Sequence, residues 1–472
     1  MTTAILAVVG LSLALWAGAR LLDAWGWAQR VYLPASVLGG GIALLFGPEV
    51  LGRLLPGLPF GLVGEEVFQV WRALPGFLIN IVFGALFLGV TLHGPREIWR
   101  RAGPQVAFGQ ALAWGQYAVG ISLTLLVLTP LFGVPHAFGA LIEIGFEGGH
   151  GTAAGLGPTF AELGWEEGQD LALAVATVGV VFGLLLGVVL VNWGVRRGHV
   201  QGIALAAQAP AAVERPKDAP APRKSSVYET IEPLGLHLAY IGIAIGIGWV
   251  LLEGLRAGEA WILDPGEGGG EAPMGVFRYV PLFPLAMIGG ILLQLAHDRL
   301  APRLTLDRRM FVQLQGVALD FLIVAALATL MLRALAENWL PLLLLVVAGI
   351  LWCLWAVAWL APRIMPDFWF ERAIGDFGQS MGTTATGLLL LRMVDPRYRT
   401  PAYEAFGYKQ LLFEPIVGGG VFTAMAVPLI FRFGGPTLLA VTTALTLFWI
   451  LFGWWLFGPR RPATPGPRPA SR

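Results

Sequence analysis

The sequence predicts an all-α polytopic membrane protein: two inverted five-span repeats, each with a glycine-rich re-entrant loop, plus one extra C-terminal span. Three observations carry that expectation. The hydrophobic fraction is 56%, the charged fraction 13% and the mean hydropathy +0.70, whereas soluble domains run at roughly 45–50% apolar and about 25% charged. Two glycine-rich stretches, Glu147-Gly-Gly-His-Gly-Thr-Ala-Ala-Gly-Leu-Gly157 and Gly375-Asp-Phe-Gly-Gln-Ser-Met-Gly-Thr-Thr-Ala-Thr-Gly387, interrupt corresponding places of the two halves. Irregular backbone at membrane depth is tolerated only where it is buried in protein or lines a watery cavity, and paired interruptions point to a secondary transporter's binding site. Finally, the basic residues segregate to one side of the expected spans.

Crossing about 30 Å of hydrocarbon takes roughly 20 helical residues. Segments of that kind fall at 2–19, 31–48, 73–92, 105–133, 169–194, 235–256, 279–297, 311–332, 338–361, 411–431 and 436–458. The first lacks a basic leader and runs into a loop bearing Arg20, so it reads as a span rather than a signal peptide. The two broken stretches lie after the fourth and the ninth span. All but six of the 31 Lys and Arg residues then fall on one side, Arg372 and Lys409 among them; the exceptions are Arg53, Arg72, Arg256, Arg278, Arg333 and Arg432. The positive-inside rule places the N-terminus outside and the C-terminus in the cytoplasm; the membrane expected is a bacterial inner membrane.

A proline- and alanine-rich stretch from Ala206 to Ser226 cannot pack a core and reads as a cytoplasmic linker. The expected organisation is therefore a first repeat over 1–195 with its loop at about 138–162, and a linker over 196–234. A second repeat follows over 235–433 with its loop at about 370–393, then an extra span and basic tail over 434–472. An odd number of spans per repeat makes the halves antiparallel. Pro34…Gly39-Gly40 in the second span and Pro284…Gly289-Gly290 in the seventh share the spacing Pro-x4-Gly-Gly, which echoes the duplication.

Under this topology the first loop enters from outside and the second from the cytoplasm. An arm of about ten helical residues reaches roughly 15 Å, half the hydrocarbon thickness, so the tips meet near the midplane. There, glycine-permitted turns present amides and positive helix ends to an anion and freed carbonyls to a cation. The candidate substrate-binding residues are Gly148, Gly149, His150, Gly151 and Thr152, facing Gly378, Ser380, Gly382, Thr383 and Thr384. Candidates for ion or proton coupling are Glu147, Asp376 and Glu414. Each admits a structural role as well: His150 as a donor to nearby carbonyls, Glu147 and Asp376 as charges at a water-facing mouth, Glu414 and Asn80 as interhelical hydrogen-bond partners. Glu143, one turn before Glu147, reads as a packing or mouth residue, and Asp320 as the costliest charge by depth.

Gly148-Gly-His-Gly-Thr152, Tyr32-Leu-Pro34…Gly39-Gly40, and Gly375, Gly378, Gly382, Thr384 and Thr386 resemble motifs of the glutamate:sodium symporter family. The resemblance extends to about Phe433. It implies two inverted repeats, sodium-coupled uptake of an amino acid, and a homodimer with a mobile transport domain. The chain departs from the family pattern at Glu147, where a small residue is expected, and at Gly375-Asp376, which replaces Gly-His. Two added carboxylates repel an anion unless they are protonated or paired with a cation, which opens neutral or cationic substrates and proton coupling.

The function expected is a sodium-coupled symporter of glutamate or a related small amino acid, working by alternating access. The alternatives are a proton-coupled carrier of another carboxylate or neutral solute, and a passive channel, whose continuous polar lining the scattered polar groups do not supply. An enzyme is not expected, because HExxH and P-loop strings are absent and the six His residues form no metal-spaced pair. A single cysteine, Cys353, excludes a disulfide framework and a cysteine metal site. No cofactor and no nucleic-acid partner is expected; the expected partners are the solute, sodium, the bilayer and a second copy of the chain.

Overall fold

The computed structural model describes residues 2–25, 34–55, 57–90, 94–202, 233–263, 275–301, 304–396 and 399–458. Most of the expected linker, Tyr32 and Leu33, and the basic tail lie outside these residues. The described chain is helical throughout, with no strand among the described residues. The long helices are α1 (Thr2–Ala24), α2 (Ala35–Phe46), α3 (Glu65–Gly84) and α4 (Pro95–Leu123, continued to Phe132). The first break contributes α5 (Leu141–Phe146), α6 (Gly149–Gly155) and α7 (Gly157–Glu162), followed by α8 (Glu167–Arg196). The second half comprises α9 (Pro233–Leu263), α10 (Phe283–Leu300), α11 (Arg308–Ala328), α12 (Trp339–Trp355, continued to Ile364), α13 (Trp369–Val394), α14 (Ala402–Phe413), α15 (Val421–Phe433) and α16 (Gly435–Phe457).

Local chemistry sets several of these boundaries. Pro95, Pro284 and Pro436 stand in the first turns of α4, α10 and α16, where a missing N–H costs nothing. Asp307 caps α11 by accepting from the Arg309 amide at 2.8 Å, which satisfies one of the free donors of the first turn.

Nine helices among the described residues are long and apolar enough to cross a membrane, against eleven expected crossings. The seventh expected span is the 18-residue α10, whose last turns carry His297, Asp298 and Arg299. The tenth, expected at 411–431, is not one helix. α14 ends at Phe413, the chain turns through Glu414 to Gly420, and only then does the 13-residue α15 begin. Pro415 has no N–H to continue α14, while Gly418 and Gly419 adopt φ of +71° and +101°, which side-chain-bearing residues avoid.

By their contacts the helices sort into two bundles. α1 and α2 pack together and, with α3, against α11, while α9 and α10 pair and also contact α3. The other bundle joins α4 to α12, α14 and α16, and joins α8 to α5, α6 and α13. The first three spans of each half thus share one bundle, and both glycine-rich breaks lie in the other. α6 also touches α3 and α11, so the tip of the first break stands at the boundary between the bundles.

Glycines let α8 approach the second break. A Cβ on Gly183 would lie 2.8 Å from Met381 Cβ, one on Gly179 would overlap the Met381 carbonyl, and one on Gly187 would meet Leu390. This four-residue spacing is the small-residue seam by which membrane helices pack backbone to backbone. The seam forecasts a contrast between two glycines. Gly179→Leu should abolish the single monodisperse peak on size-exclusion chromatography after detergent extraction, because the opposing atoms are backbone. Gly242→Leu, on the exposed face of α9 with nothing within 4 Å, should elute as wild type.

Candidate functional site where three broken helices converge

The two glycine-rich segments meet at their tips. Gly149, which opens α6, has φ of +69°, and a Cβ there would overlap Thr383 Cγ2. Thr383 itself holds φ of +73°, the point at which α13 breaks. A β-branched residue in that region is strained, and the surrounding structure must hold it there. Gly378 and Gly387 show what the break does: a Cβ on Gly378 would sit 2.7 Å from the Cα of Gly387. Residues that far apart in a continuous helix would be separated by roughly 13 Å, so the chain reverses and the two arms of α13 lie against each other.

The turn at 414–420 closes over these tips. A Cβ on Gly419 would lie 2.7 Å from Thr152 Oγ1, and one on Gly418 3.4 Å from Glu147 Cγ. Thr384 donates to Glu414 Oε1 at 3.0 Å, which ties the second break to this third one. The third break was not expected from the sequence, although Pro415 and the triple glycine were its signal.

Of the candidate residues, Gly149, Thr152, Glu147, Thr383, Thr384 and Glu414 come together at this junction. Gly148 turns back on its own segment, its would-be Cβ 2.8 Å from Thr152 Cβ. Ser380 and Gly382 stand just before the second tip, with the Ser380 carbonyl accepting from Gln116 Nε2 of α4 at 2.6 Å. Gly378 serves the arm-to-arm packing rather than the tip. Gly151 faces Ile79 and Leu319 of the other bundle. His150 points to α8, where Nε2 lies 2.9 Å from Thr177 Oγ1, a hydroxyl partner rather than the carbonyls expected.

Asp376 is fully buried and forms an ion pair with Lys409 Nζ at 2.9 Å, both side chains being 0% exposed. Lys409 is therefore not the loop cation that its place in the sequence suggested. It donates a second bond to Gln379 Oε1 at 2.8 Å and stands 4.1 Å from the centroid of the Phe413 ring. Arg372, assigned to the same cytoplasmic set, is also buried and reaches Asp367 at 3.3 Å. Removing two such charges from water is expensive, and only mutual attraction with further hydrogen bonds offsets it.

Glu143 is a second residue whose role the sequence did not reveal. It is buried, and its carboxylate accepts from the Gly418 amide at 2.7 Å, from Thr423 Oγ1 at 2.8 Å and from the Tyr117 hydroxyl. It thereby fastens the first break to the third break, α15 and α4. Its neighbour one turn on, Glu147, is also buried, yet neither carboxylate oxygen has a hydrogen-bond partner. Asn80 bonds carbonyls of its own helix, Gly76 at 2.8 Å and Phe77 at 3.2 Å, rather than another span. Asp320 lies on the exposed face of α11.

The ion pair is open to a double-substitution test. Lys409→Met leaves Asp376 buried and unpaired, a change that costs about 3–5 kcal/mol for such pairs. The thermal midpoint in detergent should therefore fall sharply, and Lys409→Met with Asp376→Asn should recover much of the loss. A double variant no better than the single one would show that Lys409 acts through packing alone.

With this geometry in hand, comparison with known proteins supplies a likeness over part of the chain. Residues 76–264 match the family model described as sodium/glutamate symporter, a span that runs from α3 to the end of α9 and includes the first break. No curated protein matches the chain. The resemblance carried by Gly148-Gly-His-Gly-Thr152 is thus borne out over that region, and the chain is an integral membrane protein with a region that matches a sodium/glutamate symporter model.

Proposed function

From a chain that carries a sodium/glutamate symporter domain, we propose a sodium-coupled carrier that moves glutamate or a related small amino acid across a bacterial inner membrane by alternating access. The observation that carries the reading is the contact of the two broken segments at Gly149 and Thr383. Both α6 and the second arm of α13 begin at that contact, so two helix N-termini, with their free amides and partial positive charge, open on one junction. A carboxylate-bearing solute suits such ends. Glu147 and Asp376 do not speak against an acidic solute as strongly as they do in the bare sequence, since Asp376 is neutralised by Lys409. The division of the helices supports alternating access: the bundle holding both breaks moves against the bundle of α1–α3 and α9–α11, with α6 at the sliding boundary. The repeated use of spans one to three of each half in one bundle supports the duplication, while the outward N-terminus and the opposite entry of the two loops rest on the segregation of basic residues. A homodimer is part of the same proposal.

Counterflow in proteoliposomes tests the carrier. Labelled glutamate should accumulate transiently against an excess of unlabelled glutamate, should saturate, and should require sodium outside. Gly149→Val, which places a branched side chain at positive φ against Thr383, should lose counterflow while still eluting as folded protein. Flux that rises linearly with concentration would assign a channel instead. The expected orientation has its own check. In a Cys353→Ala background, a cysteine replacing the exposed Glu162 should react with an impermeant thiol reagent added outside, and one replacing Glu404 only from the cytoplasmic face. Labelling of both from one side would overturn the inverted arrangement.

A further inference from the structure

The buried polar groups around the second tip are not all accounted for. Among the described residues, both carboxylate oxygens of Glu147, the hydroxyl of Ser380 and the amide oxygen of Gln116 are buried without a hydrogen-bond partner. Glu147 is 3% exposed, Ser380 and Gln116 0%. The four atoms belong to one neighbourhood. Gln116 Nε2 donates to the Ser380 carbonyl at 2.6 Å and lies 3.4 Å from Cys353 Sγ, and Cys353 Sγ is 3.8 Å from that same carbonyl. The Ser380 hydroxyl is close enough to act on the Glu147 carboxylate, and that carboxylate acts in turn on Cys353, although the Ser380 hydroxyl and the carboxylate fall short of hydrogen-bond geometry.

Buried oxygens left unpaired together call for an ordered water or an ion. Charge decides between them. The charged groups acting on Glu147 are Lys409, Glu143 and Asp376. Lys409 is already bound to Asp376, and Glu143 is satisfied by its three donors. A water alone would leave an ionised Glu147 uncompensated in a desolvated site; a proton would neutralise it but leave the neighbouring oxygens unpaired, whereas a cation compensates the charge and ligates the hard oxygens of carboxylate, amide and hydroxyl together. We propose that Glu147, Ser380 and Gln116 form a binding site for a single dehydrated sodium ion, seated behind the tip of the second break. This rests on the sodium-coupled reading above and locates its ion. The resident ammonium of Lys409 plays the corresponding part at Asp376, so the two carboxylates have different counter-ions, one permanent and one exchangeable.

The test measures binding rather than transport. The purified full chain in detergent, without amino acid, is melted across a sodium chloride series balanced with choline chloride, at two pH values either side of neutrality. Wild type should show a midpoint that rises with sodium concentration, as expected for a ligand that binds only the folded state. Glu147→Gln should be flat across the series, Ser380→Ala should need several-fold more sodium for the same rise, and Asp320→Asn should behave as wild type. Should Glu147→Gln not yield folded protein, Ser380→Ala and Gln116→Leu decide the question by the same shift. A sodium-dependent rise retained in Glu147→Gln overturns the site. So does a wild type that responds to pH but not to sodium, which would put a proton on Glu147 instead. The outcomes separate from those of counterflow. A chain that binds sodium at Glu147 but exchanges no amino acid refutes the carrier alone, and one that exchanges amino acid with no sodium-dependent rise refutes the site alone.

Discussion

The contact between Gly149 and Thr383 is the constraint on which the rest of the bundle that holds both breaks depends. Two segments that begin more than 200 residues apart must deliver helix ends to one point, and each must abandon regular helix to do so. The first does it with a glycine at positive φ. The second does it with a threonine held in the same region, a conformation that local preference opposes. What holds Thr383 there is the packing on either side: the Gly378–Gly387 contact that clamps the two arms, and the Gly179–Gly183 approach that lets α8 lie against Met381. The glycines away from the tip therefore matter as much as those at it, since they set the distances that make the strained residue affordable.

Such a junction brings polar side chains into a place without water, and the structure handles its carboxylates in different ways. Glu143 is surrounded by donors from three elements and acts as a fastener. Asp376 is matched by an ammonium at bonding distance. Glu414 keeps one bond to Thr384 and sits beside the opening turn of the third break. Glu147 has neither donor nor cation within bonding distance. In a low-dielectric interior a missing partner costs far more than a present one gains, and Glu147 is thus the place where this bundle is least complete on its own.

The sequence disclosed the larger divisions because they depend on composition and spacing. Hydropathy and loop charge located most of the long helices, and the glycine content of 147–157 and 375–387 located both breaks. Other features needed three dimensions. Lys409 stands among Arg397, Arg399 and other residues of a basic stretch, and only the burial of α14 against α4 shows that it faces Asp376 instead of water. Glu143 was read as a mouth residue because its three donors come from α4, Gly418 and α15, none of them near it in the chain. The third break was hidden because Glu414 to Gly420 lies inside an apolar run long enough to be a span. Its Pro415 and triple glycine were visible, but proline and glycine are frequent in membrane helices, so they carried little weight alone.

The difference between Glu143 and Glu147 bears on how movement and binding are linked. Glu143 lies on α5 and Glu147 just past its end, about one turn on, and both face the third break: Glu143 through its bond to the Gly418 amide, Glu147 through the packing of Cγ against Gly418. Glu143 makes that turn part of the bundle that holds both tips, so in the proposed carrier the 414–420 segment would move with them. Whatever occupies the neighbourhood of Glu147 therefore acts on the same segment that reaches Thr384 through Glu414. Coupling requires a ligand whose binding energy differs between two arrangements of the protein. In the proposed carrier, a junction made of three broken helices, held at one carboxylate and left incomplete at the next, would supply that difference: a cation completing Glu147 would stabilise the arrangement in which the three breaks are closed together.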